Sequence, residues 1–109
     1  MNLPFPAIVQ RYINASNSHN VASILACFTD DAVVQDESQT MRGQDAIEHW
    51  LTTTIAKYKF QFTPRDMRTQ DAQTVVTIEV SGTFPGSPVT LDYHFALTND
   101  QIVSLTIDS

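Results

Sequence analysis

The chain is poor in cysteine, in cations and in long apolar runs, and each shortage removes a class of function. Its 109 residues include a single cysteine, Cys27, so no internal disulfide can form. Cys27 falls among Ile24, Leu25 and Phe28 on what reads as an apolar helix, where a buried structural thiol is expected rather than a reactive one. Six Lys and Arg stand against twelve Asp and Glu, a net charge of −6. Such a surface repels phosphate backbones and has no basic stripe to displace counterions, so nucleic acid is not an expected partner. No apolar run approaches the ~20 residues of a membrane-spanning helix. The segment Met1-Asn2-Leu3-Pro4-Phe5-Pro6 has neither the basic start nor the apolar stretch of a secretory signal, and a cytoplasmic location is expected. His19, His49 and His94 are far apart, with no His-x-x-x-His or Cys-x-x-Cys spacing, so neither a metal nor another cofactor is expected.

What is present is one core's worth of apolar residues, 42% of the chain, consistent with a single domain over residues 1–109. The first half has helical periodicity. Pro4 and Pro6 suit a helix start, and Ile8, Val9, Tyr12 and Ile13 then recur at three- and four-residue steps, predicting a helix from about Ala7 to Ser16. Asn20 can cap a second helix with Val21, Ile24, Leu25 and Phe28 on its apolar face, ending at Thr29-Asp30-Asp31. Ala32 to Asp36 is a short β-branched run, followed by a polar loop from Glu37 to Arg42. Ala46, Ile47, Trp50, Leu51 and Ile55 mark a third helix, with Asp45 placed to cap it or complement its dipole.

From Lys59 the period becomes two. Phe60 and Phe62 alternate with polar residues until Pro64 interrupts. Val76, Ile78, Val80 and Phe84 share one parity, with Val75 the apolar exception on the other. After the turn Pro85-Gly86-Ser87-Pro88, the residues Val89, Leu91, Tyr93, Phe95 and Leu97 face one way, and Thr90, Asp92, His94, Ala96 and Thr98 the other. Asn99-Asp100 reads as a tight turn into a last strand carrying Val103, Leu105 and Ile107. The expected fold is α+β: three helices gathered on one face of a mainly antiparallel sheet, with a pocket between the layers. Polar residues on the inward parity are its candidate functional groups, namely Asp36, Tyr12 and Tyr93. Trp50, Phe28, Phe62 and Phe95 join Tyr93 as candidate substrate contacts, Phe60 and Phe84 are read as core or pocket wall, and His94 with Asp92 as a surface or interface pair.

The run Ile8-Val9-Gln10-Arg11-Tyr12, then Asn17, Ile24 to Phe28, Asp30-Asp31-Ala32-Val33, Asp36 and Gly43-x-x-Ala46-Ile47 resembles the ketosteroid isomerases and the SnoaL-like polyketide cyclases. The resemblance covers nearly the whole chain and implies the cone-shaped fold of the nuclear transport factor 2-like superfamily. It further implies that Asp36 is the carboxylate that takes a proton from carbon beside a carbonyl, and Tyr12 the phenol that bonds the resulting enolate oxygen. Their separation in sequence equals the family's spacing without a gap. The isomerases add a protonated aspartic acid as a second donor, and here the matching position holds Tyr93. Asp92 is one residue away, which in a strand means the opposite face.

Read from pattern alone, Asp36 is an exposed turn carboxylate and Tyr12 a core tyrosine with a satisfied hydroxyl; the resemblance sets a pocket role for each beside that reading. Two functions follow for the pocket. One is an isomerase- or cyclase-like enzyme acting on a small hydrophobic substrate without cofactor; the other is a non-catalytic binding or accessory domain for such a ligand. A third reading is a dimerising module. The mixed outer face of Thr77, Ser81, Thr90, His94, Val75 and Ala96, together with the habit of relatives to pair through this surface, makes a homodimer the expected assembly.

Overall fold

A computed structural model describes residues 5–108; Pro4, half of the expected helix start, lies outside them. Helix α1 spans Ala7–Asn17 and α2 spans Val21–Leu25. The Asn20 side chain accepts a hydrogen bond from Ser23 N at 3.1 Å, the N-cap its residue type predicts. Strands β1 (Phe28–Asp36) and β2 (Gln39–Arg42) precede α3 (Gln44–Tyr58), and β3 (Gln61–Gln70), β4 (Gln73–Ser81), β5 (Val89–Thr98) and β6 (Gln101–Asp108) complete the chain. All six strands form one curved, open sheet in the order β2-β1-β6-β5-β4-β3, antiparallel except where β1 runs parallel to β6. The three helices pack on one face, and between the layers lies a core that includes Val9, Tyr12, Ile24, Ile47, Leu51, Ile78, Phe95 and Leu105. Among the described residues no helix is long and apolar enough to cross a membrane.

Four expectations need correction. Phe28 is the first residue of β1 rather than a helical residue. The chain leaves the helix because Cys27 O accepts from Ile102 N at 2.7 Å, a partner 75 positions away by number that no local pattern can anticipate. Thr29, Asp30 and Asp31 consequently belong to β1, in the stretch where its register against β6 slips between Phe28 and Val33. The polar loop contains a strand: Glu37 and Ser38, at φ 52° and 64°, make a two-residue turn that folds Gln39–Arg42 back onto β1. Such turns usually carry Asn or Gly, and here neither residue type flags it. Pro64 does not end β3. It sits opposite Ile78 on an edge strand, with a bulge absorbed before Asp66, one of the few places a sheet accepts proline. Finally, Phe84 lies past the end of β4, in the connection to β5.

Val75 is buried although its parity points away from the helices. It pairs with Arg68 and His94 across the sheet and lies outside the main core. Long neighbours of this kind cover apolar surface with their stems while keeping charge in water. Asp45 sits in the first turn of α3 behind the Gly43 N-cap, without a side-chain capping bond, so it complements the dipole and does not cap.

Candidate functional site

A cavity of about 670 Å³ opens between α3, the inner faces of β4, β5 and β6, and the β4–β5 connection, within the range of small-molecule sites. Its deep wall is built from Tyr12, Leu51, Phe60, Phe62, Val80 and Tyr93, all buried. The exposed residues Glu37, Lys57, Pro85 and Asp108 mark its mouth. Asp36, Trp50, Tyr58, Phe84 and Leu91 stand between.

Each wall residue is held by its element. Helical spacing places Tyr12 on the buried stripe of α1 with Ile8, Val9 and Ile13. The Tyr12 ring stands edge-on to Phe28 and Phe95, with centroids at 5.9 and 5.4 Å. Those two phenylalanines, both expected to touch substrate, do not line the cavity; they form the layer beneath Tyr12. Phe62 is set by Asn17 at the end of α1, whose amide accepts from Phe62 N and donates to Phe62 O at 2.6 and 3.1 Å. The Phe62 ring then stacks on Phe60 at 4.8 Å and meets Tyr93 edge-on at 5.3 Å.

At the far side, Tyr58 O accepts from Thr83 N at 2.8 Å. Gly82 leaves no room for a Cβ beside that carbonyl, so the connection lies tight against the end of α3. Phe84 thereby meets Tyr58 edge-on at 5.5 Å, and Tyr58 Oη donates to Glu37 Oε1 at 3.2 Å.

Asp36 ends β1 at the turn and is half-buried. Trp50 Nε1, one face of α3 away, donates to its Oδ2 at 3.1 Å. Burial drives the carboxyl pKa above the ordinary aspartate range; the Trp50 bond opposes this, the Glu37 charge adds to it and a backbone bond from Glu37 opposes it. Tyr12 and Tyr93 are 1% and 4% exposed. Both residues line the cavity. Burial pushes both phenols well above their ordinary pKa, and the Asp36 charge pushes both in the same direction. Ser16 Oγ lies close enough to Tyr12 to lower its pKa somewhat, yet it makes no hydrogen bond of acceptable geometry.

The sheet separates Tyr93 from Asp92. Asp92 faces outward, where Thr77 Oγ1 donates to its Oδ1 at 2.7 Å and Arg68 pairs with its Oδ2 at 3.3 Å. These donors pull its pKa down, the Thr77 bond most, and burial works against them. His94 lies on the same face with Nε2 3.1 Å from Asp108 Oδ1. Asp92, His94 and Asp108 thus offer ligand atoms within 4.8 Å of one another, a grouping that sequence spacing missed because Asp108 arrives from the next strand. Arg68 and Thr77 already occupy Asp92, so the cluster is a surface polar network. Sequence reasoning also missed Thr54, Lys57, Tyr58, Val89 and Leu91 as lining residues. The alternation of β5 could have supplied Val89 and Leu91, since they share Tyr93's parity.

The sequence model described as "SnoaL-like domain" matches residues 9–105. No curated protein sequence matches significantly. A crystal structure of a Sinorhizobium meliloti protein provisionally assigned as a polyketide cyclase is 33% identical, covers 95% of both chains and superimposes with a TM-score of 0.91. A Catenulispora acidiphila protein with a ketosteroid isomerase-like fold, solved in complex with trimethylamine, is 19% identical over 95% of this chain and 85% of its own, with a TM-score of 0.82. The epoxide hydrolase/cyclase-like enzyme SalBIII, described in pyran ring formation in the polyether salinomycin, is 19% identical over 93% and 86%, with a TM-score of 0.81. The last two likenesses speak to fold alone.

Proposed function

The chain belongs to the SnoaL-like domain family, and from that premise we propose that it binds a small hydrophobic carbonyl compound and moves a proton on it, with Asp36 as base. The observation that carries this reading is the setting of Asp36: a carboxylate desolvated at the wall of an apolar cavity, which two buried phenols, Tyr12 and Tyr93, also line. A base gains strength as its charge is desolvated, and the Trp50 bond to Oδ2 orients the carboxylate. Trp50 is a positioning residue in this scheme.

In the first step Asp36 takes the proton from the carbon beside the carbonyl. The C–H electron pair becomes a C=C bond, the C=O pair moves onto oxygen, and the enolate oxygen receives a hydrogen bond from Tyr12, assisted by Tyr93. Both phenols stay protonated at neutral pH, because burial raises their pKa, and therefore serve as donors. A donor aimed at developing negative charge stabilises the transition state more than the ground state. The protonated Asp36 can then return its proton to another carbon, giving an isomer. Alternatively, the enolate carbon attacks a second carbonyl, forming a C–C bond, and the new alkoxide takes the proton, giving a ring. The relationship to a polyketide cyclase at 33% identity favours the second outcome.

The test is turnover of a panel of enones and poly-β-ketone esters by wild type, Asp36→Asn and Tyr12→Phe. The expected result is loss of at least about a thousandfold in kcat for Asp36→Asn and about a hundredfold for Tyr12→Phe, with binding retained in both. Tight binding without turnover by wild type on every member would overturn the enzyme and leave a ligand-binding domain.

A further inference from the structure

Helix α1 buries a serine. Ser16 is 1% exposed, and its Oγ is the one buried side-chain nitrogen or oxygen without a hydrogen-bond partner among the described residues. A helical serine commonly returns its hydroxyl to the carbonyl one turn back, and Ser16 Oγ makes no such bond. Alanine would suit the helix better and would leave no hydroxyl to desolvate. As a structural group, then, this hydroxyl is a burden on the fold.

Its neighbour gives it another use. Ser16 follows Tyr12 by four residues, and both are buried on α1, the spacing at which helical side chains meet. Burial raises the Tyr12 phenol pKa and Ser16 opposes that rise, the effect of a hydroxyl near enough to donate to a phenolate oxygen. Tyr12 lines the cavity and Ser16 does not, so Ser16 is outside the set of residues that a ligand would touch. The helix end that carries it is held in place: Asn17 bonds both the N–H and the carbonyl of Phe62 on β3, and His19 N donates to Ser16 O at 3.0 Å.

We propose that Ser16 is a positioning residue for Tyr12: its Oγ–H donates to Tyr12 Oη and so turns the phenol's own proton toward a carbonyl oxygen in the cavity. This rests on the reading of Tyr12 as a donor given above and names the group that directs it. A phenol oxygen both accepts and donates, so a bond accepted from Ser16 leaves the Tyr12 proton for the ligand. A hydroxyl that accepts one hydrogen bond also donates a stronger one, because each bond in such a chain polarises the next. The two hydroxyls fall short of hydrogen-bond geometry without a ligand acceptor; the serine rotor turns when Tyr12 engages one, a motion that leaves the backbone in place. As the carbonyl becomes an enolate, the charge that reaches Tyr12 Oη is then shared with a second donor.

The test reads the donor itself and does not depend on turnover. Wild type, Ser16→Ala, Tyr12→Phe and the double variant are each saturated with 2-acetylnaphthalene carrying carbon-13 at the carbonyl, whose resonance moves downfield as a hydrogen bond to its oxygen strengthens. Against the probe in cyclohexane, wild type should show a downfield shift that Tyr12→Phe largely abolishes. Ser16→Ala should lose about 10–30% of it, and in the Tyr12→Phe background the same substitution should change nothing further. The Tm of Ser16→Ala should equal or exceed that of wild type, separating the lost shift from any loss of fold. A shift that depends on Tyr12 but is untouched in Ser16→Ala overturns the inference and leaves Tyr12 as donor. A Ser16→Ala loss that recurs without the Tyr12 hydroxyl also overturns it, since Ser16 would then act on the cavity wall. No bound probe, or a shift indifferent to Tyr12→Phe, overturns the reading of Tyr12 and the inference with it.

Discussion

Asp36 and Asp92 are both partly buried aspartates on one sheet, yet burial drives the carboxyl of Asp36 up while the Thr77 hydroxyl and the Arg68 guanidinium pull that of Asp92 down. The sheet has an inner face, where side chains meet α1, α3 and the cavity, and an outer face, where long polar side chains bond one another in water. Which carboxylate is a candidate base follows from which face it occupies. At β5 the distinction is one residue wide: Tyr93 turns its ring inward and Asp92 its charge outward. A two-tyrosine cavity wall opposite Asp36 results, and the second acid known in the isomerases has no counterpart at this position of β5.

Substitutions on the two faces should differ in size and sign. The largest effect is expected from Phe95→Ala, which removes a fully buried ring that supports Tyr12 and Tyr93; denaturant unfolding should lose about 3–5 kcal/mol. Asp36→Asn should act in the opposite direction. The folded-state pKa of Asp36 lies above its unfolded value, so its stabilising contribution is complete below the ordinary aspartate range and is lost as pH rises through the raised value. Asparagine stays neutral, and thermal unfolding at pH 7 should occur roughly 2–5 °C higher than wild type, the gain vanishing in acid.

Trp50→Phe sharpens the same point by removing a side-chain donor to Asp36. A carboxyl-carbon NMR titration should then find the Asp36 pKa higher still, and the acid limb of any turnover profile should move up with it. The smallest effect is expected from Asp92→Asn on the outer face. Its lowered pKa contributes stability that is present above the ordinary aspartate range and lost as pH falls through the lowered value. Removing the charge should cost under about 1 kcal/mol at pH 7 and nothing in strong acid, read from urea unfolding at the two pH values.

Much of this arrangement is legible in the sequence because it depends on local period. Helical steps place Tyr12 inward, and alternation divides Tyr93 from Asp92. The resemblance draws attention to Asp36 where pattern alone leaves an exposed turn acid as a rival. What is not legible depends on distant partners. The apolar spacing of α2 runs on through Phe28, and pairing with β6, with the bond from Ile102 to Cys27, pulls the chain into a strand. The polar Gln39–Arg42 segment becomes β2 through pairing with β1, without an apolar signal of its own. Tyr58 and Phe84 reach the cavity mouth through the docking of Gly82 and Thr83 on the end of α3, and nothing in either segment records the other. Phe28 and Phe95 are aromatic and inward, as pocket contacts would be, but depth within the layer is not a property of parity.

The position of β1 in the sheet has a consequence for how the protein is made. On the side away from β2 its neighbour is β6, so the strand ending in Asp36 waits, half-partnered, while α3 and four further strands emerge from the ribosome. Pairings between such distant segments are slow to form and leave apolar edges open meanwhile. A nascent chain stalled before residue 101 would accordingly lack β6, the parallel partner of the strand that ends in the candidate base.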